Sequence, residues 1–579
     1  MPTASDIPIH GASASPRRRD LLVLLPSLTL ALFLAPVVAG LLGTWLPAFG
    51  WLPSLARTDI GLAPWRELFA APELPGSLRL TLTTGLAASV ASLVIALAFC
   101  ASAHGTGLFR AVERVLAPVL AVPHAAVALG LAFLLAPSGW LIRLLSPWGA
   151  GWVVPPDIAT VQDRWGLALT IGLIAKEVPY LLLMAIAAGA QAEAKAGLAV
   201  ARSLGYGKTT AWLKAVLPRV YPQIRMPVYA VLAYSLSVVD MALILAPTTP
   251  PPLAPLLLRW FNDPDLDRRF AAAAGATLQL LIVVGAIAVC RAAEMAAVRL
   301  GRAWIASGRR GGSGLPQHLL ASIAMIGLLL LVVGSIVVNV IWSFADRWRF
   351  PSVLPTAWTF VTWQHHGPAL RDLAITTFVV AAAAAGVSLA LALGCLENEQ
   401  RRGLHVSSRG LWLIYTPLLV PQLSFMFGLQ VLLVACRIDG SWVGLIWSHL
   451  VFVLPYVFLS LADPYRSLDD RYARSALCLG ASPNRVFWRV KLPMLRQPVA
   501  VAFAVGFAAS AGQYLPTLFA GGGRFDTLTT EAVSLAAGSD RRVIGVHVLA
   551  QALLPLLPFA MALALRAHRR PAVAGRSRT

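Results

Sequence analysis

Read for polarity, the chain alternates between long apolar runs and short charged connections. Roughly 20 apolar residues cross the hydrocarbon core as a helix. Runs of that kind fall at 21–45, 78–103, 115–136, 165–189, 226–247, 270–290, 318–343, 372–396, 411–436, 441–462, 499–520 and 543–565. The pattern predicts an all-α integral membrane protein of about 12 transmembrane helices. Pro123, Pro179, Pro421 and Pro455 lie inside these runs, and in a bundle neighbouring spans can re-satisfy the backbone groups a proline frees. The first run follows the basic stretch "SPRRRD" and exceeds the roughly 7–15 residues of a signal-peptide core. It reads as an uncleaved first span.

Basic residues set the expected orientation. With the N-terminus placed in the cytoplasm, 31 of the 47 Lys and Arg fall in cytoplasmic segments and 14 in outer loops, with Arg79 and Lys176 inside spans. Both termini of a multi-pass membrane protein are therefore expected in the cytoplasm. Composition agrees, with 58% of residues hydrophobic and 13% charged, half the roughly 25% of an average soluble domain. A lipid bilayer has to cover much of such a surface. The net charge of +21 needs no nucleic acid, because basic loops against anionic headgroups account for it. Cys100, Cys290, Cys395, Cys436 and Cys478 show no ligand spacing and read as small packing residues.

The chain is also written twice. "EVPYLLLMAIAAG" leads into "ARSLGYGKTTAWLKAVLPRVYPQI", and "VLPYVFLSLAD" leads into "ALCLGASPNRVFWRVKLPMLRQPV". Pro179-Tyr180 matches Pro455-Tyr456, Gly205 matches Gly480, and Leu217-Pro218 matches Leu492-Pro493 at the same distance from the glycine. Upstream, "VPHAAVALGLAFLL" from Pro123 parallels "VPQLSFMFGLQVLL" from Pro421, and the spans before them carry Thr83-Thr84 and Thr376-Thr377. The expected divisions are a cytoplasmic tail 1–20, a first repeat 21–290 with a loop at 190–225, a basic cytoplasmic linker 291–317, a second repeat 318–566 with a loop at 464–498, and a cytoplasmic tail 567–579. Each repeat is one extra span followed by five shared ones. Both enter from the same side, which makes them parallel.

Gly207-Lys208-Thr209 raises the question of a nucleotide site. A phosphate-binding loop needs G-x-x-x-x-G-K-[ST] after a strand, so that backbone N–H groups can wrap the phosphates. Here Arg202 holds the first glycine position, a span precedes it, and the second copy reads "GASPNRVFW". What both copies share is a helix, a glycine able to take positive φ, a second short helix over 210–216 in the first copy, and a proline expected to end it. Duplicated in exposed basic loops, that frame reads as a docking element for a partner. An ordinary basic loop lying on the headgroups is the plainer alternative.

On these residues the chain resembles the binding-protein-dependent permeases of bacterial ABC importers. Their loop signature runs Glu-Ala-Ala, three residues, Gly, nine residues, Ile, one residue, Leu-Pro. The matching positions are Ala201, Gly205, Ala215, Leu217 and Pro218 in the first copy, and Ala476, Gly480, Val490, Leu492 and Pro493 in the second. Ala199 and Arg474 stand at the signature glutamate, and Val200 and Ser475 at its first alanine, so the polar details of docking differ. Two such loops in one chain are similar to the fused double permeases of iron(III) and thiamine uptake. The resemblance implies a type I importer permease fold with two tandem permease repeats. It implies no catalytic residue, cofactor or metal on this chain, with ATP and Mg held by two copies of a separate ABC ATPase. It also implies a periplasmic solute-binding protein and import by alternating access, with a thiamine-like cation or iron(III) as cargo ahead of polyamines or anions.

Charged residues inside spans are costly and default to functional hypotheses. Asp240 and its expected repeat partner Gln513 are candidate path-lining groups, as are Lys176 and Glu177; the plainer reading of each is a paired structural group. His124, Gln422 and His449, near the span prolines, read as satisfied bundle residues. The Gly-rich outer stretch 520–542, with Arg524, Asp526 and Glu531, is expected to face the binding protein or fold back towards the gate, as similar loops of the family do. An ion-coupled twelve-span secondary transporter, using an intramembrane acid, is the alternative from another class. The two duplicated loops argue against it.

Overall fold

The computed structural model describes residues 21–567 except 147, 148, 150, 313, 314, 405–407 and 539. The expected tail 1–20, and the tail 567–579 beyond its first residue, lie outside the described residues. In the first half the apolar runs and their connections form α1 (Leu25–Ala48), α2 (Leu74–Ala103), α3 (Gly107–Ala121), α4 (His124–Leu135), α5 (Leu167–Gln191), α6 (Ala194–Ser203), α7 (Leu217–Ser235), α8 (Asp240–Leu245), α9 (Leu253–Phe261) and α10 (Arg268–Ala306). The second half repeats that order as α11 (Leu315–Phe344), α12 (Val361–Arg402), α13 (Ser408–Leu419), α14 (Leu423–Ala435), α15 (Trp442–Arg466), α16 (Asp470–Cys478), α17 (Arg496–Ala511), α18 (Leu515–Gly521), α19 (Leu528–Leu535), α20 (Arg541–Leu553) and α21 (Leu556–Ala567). A small antiparallel pair, β1 (Ala345–Arg347) with β2 (Ala357–Trp358), follows α11. The molecule is an all-helical membrane bundle built as a tandem repeat.

Among the described residues nine helices are long and apolar enough to cross a membrane, or up to 11 with two bent pairs, against about 12 expected from the runs. The difference has a physical cause. Pro421 offers no N–H, so the run 411–436 breaks there, and Trp412–Leu419 and Leu423–Ala435 meet at 94°. The run 499–520 breaks at 512–514 between α17 and α18, whereas the break at Pro123 still leaves His124–Leu145 long and apolar enough to cross. The run 226–247 falls across the end of α7, a non-helical corner at 236–239 and the short α8. At the linker the structure is more helical than expected. α10 has 39 residues, about 58 Å at 1.5 Å per residue, so it continues well past the bilayer, through Ala306.

Each extra span crosses to the other half. α1 packs along α14 as well as α10, and α11 packs along α4 as well as α20. At both crossings stands the glycine that follows Pro123 or Pro421 by the same seven positions. A Cβ on Gly428 would collide with the carbonyl of Gly40 in α1, and one on Gly130 with the carbonyl of Ser335 in α11. Polar groups close the same contacts: the Gly428 N–H donates to Thr44 Oγ1 at 3.2 Å, and Asn339 Nδ2 donates across to the Ala126 carbonyl of α4 at 3.4 Å. In lipid, where apolar contact alone gives little drive, such close packing at small residues holds helices together. The cores follow the exchange. One joins Val37 of α1 and Leu256 of α9 to Phe425 of α14 and Phe452 of α15, and another joins Leu129 of α4 and Leu173 of α5 to Val338 of α11 and Val548 of α20. Gln191 Nε2 donates to Asp463 Oδ2 at 2.8 Å, which sets the ends of α5 and α15, and so the two repeat loops, side by side at one end of the bundle.

Candidate functional site

The two loops are built alike. α6 and α16 both end on a glycine in the left-handed region, Gly205 with φ +83° and Gly480 with φ +81°. The next N–H reaches back to the alanine of the signature, Tyr206 to the Ala201 carbonyl at 3.2 Å and Ala481 to the Ala476 carbonyl at 3.0 Å. The glycine N–H itself bonds the residue after that alanine, Arg202 at 3.0 Å or Leu477 at 3.0 Å. This is the paired 6→1 and 5→2 bonding that closes a helix on a C′ glycine. The Ala-x-x-x-Gly spacing of each loop is thus the length of one such cap.

The proline plays a different part from the one expected. Residues 212–216 and 487–491 are π-helical turns, in which the Leu217 and Leu492 N–H groups reach five residues back, to Trp212 and Phe487. Pro218 and Pro493 follow directly, in the first turn of a new helix, where a missing N–H costs nothing. The proline therefore starts the next helix instead of stopping the short one. Ala215 and Val490 lie within the π turns, half-buried. Ala201 is buried and Ala476 half-buried, while Gly205 and Gly480 are exposed.

Two buried glutamates that the sequence reading passed over tie these loops to the bundle. Glu397, near the end of α12, accepts from Lys491 Nζ at 2.7 Å, from Arg401 Nε at 2.6 Å and from the Tyr465 hydroxyl. Glu294, in the extension of α10, accepts from the Tyr221 hydroxyl at 2.8 Å, Arg225 Nε at 3.0 Å and the Tyr229 hydroxyl at 3.1 Å. The halves differ here. Gly189 and Val216 take the repeat positions of Tyr465 and Lys491, and with His104 they line a cleft of about 370 Å³ where the second half has its ion pair. The one sequence signal for Glu294 is that it is the sole acid in 291–317.

A second group of residues gathers deeper, where the halves meet. Lys176 and Glu177 are both buried and, as helical neighbours must, point to different partners. Lys176 Nζ donates to the Val122 carbonyl at 2.7 Å and the Val119 carbonyl at 3.3 Å, acceptors left free by the break between α3 and α4. Glu177 Oε1 lies 4.0 Å from His124 Nε2, the His124 ring centroid is 5.0 Å from that of Tyr234, and Tyr234 donates to Asp240 Oδ1 at 3.4 Å. Tyr180 is within electrostatic reach of Glu177, Tyr415 and Tyr456, and Tyr514 within reach of Asp240. His124, Tyr180, Tyr234, Asp240, Tyr456 and Tyr514 are all half-exposed. Lys176 is thus bonded to backbone, while its charge stays within electrostatic reach of His124, Glu177 and Asp240.

Gln513 is half-exposed in the corner between α17 and α18, beside Gly512, which faces Pro123 of the other half. It is not the register equivalent of Asp240. The offset of 275 that relates Gly205 to Gly480 carries Asp240 to Leu515, and each of those two opens a short helix. His449 has both ring nitrogens partnered, by Ser510 Oγ at 2.8 Å and Thr517 Oγ1 at 3.1 Å. The stretch 520–542 contains α19, which folds back into the bundle: the Leu528 N–H donates to Thr377 Oγ1 at 2.9 Å, matching the Leu253 N–H on Thr81 Oγ1 at 2.8 Å in the first half. Arg524 and Asp526 stay exposed, Arg524 lying across Gly440, and Glu531 is half-buried on α19. Among the described residues no three His, Cys, Asp or Glu side chains converge as a metal site.

Comparison with known proteins bears on the whole arrangement. Residues 386–570 match the family model described as binding-protein-dependent transport system inner membrane component. The inner membrane ABC transporter permease protein YnjC of Escherichia coli K12 is 31% identical over 549 residues, covering 95% of this chain and 97% of that protein. The putrescine transport system permease protein PotI of the same strain is 28% identical over 201 residues, 33% of this chain and 70% of PotI. The molybdenum transport system permease protein ModB of Mycobacterium tuberculosis is 30% identical over 152 residues, 24% of this chain and 55% of ModB.

Proposed function

The chain belongs to the inner-membrane permeases of binding-protein-dependent ABC transporters, and on that premise we propose that it is the entire membrane pathway of an importer for a small organic cation. It is a transport subunit and not an enzyme; ATP is hydrolysed by a partner ATPase. Both halves of the pathway are in one chain, so one copy works with two ATPase subunits, which hold the ATP and Mg. The two loops take up the ATPase motion on the cytoplasmic side, where both termini lie, as the bias of basic residues supports. A solute-binding protein delivers cargo at the opposite face. Rocking of the halves then opens the path between α5, α7, α13 and α15 to alternate sides.

The junction between the halves carries the inference about cargo. Glu177 and Asp240 stand there among Tyr180, Tyr234, Tyr415, Tyr456 and Tyr514, two carboxylates against the ammonium of Lys176, which is bonded to carbonyls and within electrostatic reach of both acids. Carboxylates together with aromatic faces suit an organic cation. A thiamine-like cation fits that description, and so does a polyamine, the class named for PotI. Iron(III) is the second choice, because a bare ferric ion asks for several hard oxygen ligands at once and the junction offers two carboxylates.

Reconstitution into liposomes with the ATPase and binding protein encoded beside the gene tests this. Labelled thiamine, putrescine, ferric ion and molybdate are offered in turn. ATP-dependent uptake of a cation is expected, and Asp240→Asn or Glu177→Gln should lower it about tenfold, a loss of roughly 1.4 kcal/mol, with ATPase assembly unchanged. Uptake of the anion alone, or of a cation at an undiminished rate by both variants, would sink the proposal.

A further inference from the structure

Resting on the importer reading, we infer that residues 307–312, between the halves, form part of the surface that meets the ATPase, so that the two loops dock unequally and the second is the stronger anchor. The first loop is strapped. The Gly207 N–H donates to the Arg310 carbonyl at 3.0 Å. Gly311 lies so close to Thr210 that a Cβ would collide with its hydroxyl, and Gly207 is equally tight against the Gly312 carbonyl. Lys214 Nζ donates to the Trp304 carbonyl at 3.0 Å and lies over the rings of Trp304, at 4.7 Å, and Tyr206, at 5.4 Å. The Arg310 guanidinium reaches to 3.4 Å from where a Gly205 Cβ would be. The Gly-Lys-Thr stretch that resembles a phosphate loop is therefore where the linker is fastened.

Among the described residues no linker segment straps the second loop, which α12 touches through Gln400 on Asp470 and Arg401 on Asn484. No residue of α16 is buried, a Cβ at Gly480 would meet nothing within 4 Å, and Leu479 and Trp488 are 89% and 65% exposed. Arg471, Arg474, Arg485 and Arg489 belong to the same loop and are all exposed. An exposed aromatic and an exposed leucine on a loop that also carries four exposed guanidinium groups fit an ATPase groove with an apolar floor and an acidic rim: buried aromatic anchors carry the affinity, and rim charges the approach and register. On the first loop Val200 and Leu204 are 62% and 58% exposed, and the strap adds Arg309 and Arg310 beside them. There the partner meets a broader and more cationic surface.

The full chain, co-expressed with the ABC ATPase encoded beside it and purified in detergent, allows a direct test by native mass spectrometry and by titration of the ATPase. The double variant Leu479→Ser/Trp488→Ser should weaken ATPase binding at least tenfold, the range of lost hot spots. Val200→Ser/Leu204→Ser should weaken it by no more than about threefold, roughly 0.65 kcal/mol. Charge reversal of the exposed strap, Arg309→Glu/Arg310→Glu, should cost about fivefold, near 1 kcal/mol, and Gly301→Ala, in open space on α10, should cost nothing. Equal losses from the two loops, or wild-type binding by the strap variant, overturn the inference. Failure of the wild-type chain to bind the ATPase at all overturns the importer reading instead.

Discussion

Lys491 and Glu397 meet across 94 positions of sequence at 2.7 Å, 5% and 2% exposed. Removing one charge of such a pair strands the other, at a cost of about 3–5 kcal/mol, whereas replacing both with apolar groups of similar volume is often neutral. Glu397→Gln should therefore lower the thermal stability of the purified chain sharply, and Glu397→Leu/Lys491→Met should recover part of it, since Arg401 and the buried Tyr465 hydroxyl still lose their acceptor. Equal stabilities of the single and double variants would mean that the pair does not hold the loop. Charge inside an apolar run is conspicuous in sequence, which is why Lys176, Glu177 and Asp240 stood out. Glu397 closes a run, where a charge is unremarked, and its partner is announced by nothing local. Nor does a charge in a run reveal its orientation: Lys176 serves the carbonyls of Val119 and Val122. Lys176→Met should accordingly lower uptake and stability together, while Asp240→Asn lowers uptake alone, a contrast that parallel transport and melting assays would resolve.

The elements show the same division between spacing and cause. The distance from proline to glycine in "VPHAAVALG" and "VPQLSFMFG" was legible as a repeat. Its reason was not, because the helix that requires Gly130 or Gly428 comes from the other half and leaves no local trace. Overpacking such a contact costs about 1–3 kcal/mol. Gly428→Val and Gly130→Val should each lower the melting temperature in detergent, with Gly327→Ala, which faces open space, unchanged. The loop glycines answer to conformation. At φ +83° and +81° a proline, fixed near −65°, cannot fit and also removes the N–H that closes the cap. Gly205→Pro and Gly480→Pro should abolish coupling of ATP hydrolysis to uptake while leaving the chain inserted; normal transport by both would refute the docking role of the loops. The proline of each loop was read as a stop since it cannot extend an α-helix, but a π turn is not signalled by residue type, and it changes a stop into a start.

For the molecule as a whole, the apolar runs were enough for an all-helical bundle and the duplicated loops for its two halves. They could not show which half each extra span belongs to, because one apolar run is as soluble in lipid as another and carries no address. With α1 held by α14 and α11 by α4, the halves should stay together without a covalent link. A chain divided after Gly312 and expressed as two pieces should co-purify as one complex; separation of the pieces in mild detergent would show that the linker holds the pair. The exchange also has a consequence in time. α11 is made after its seat on α4, but α1 emerges from the ribosome nearly 390 residues before α14 is complete. At roughly 5–20 residues per second that is a wait of about 20–80 s. Throughout it the glycine face of α1 lacks the helix it is shaped for, and a nascent chain that stalls before α14 displays that orphan face to membrane quality control.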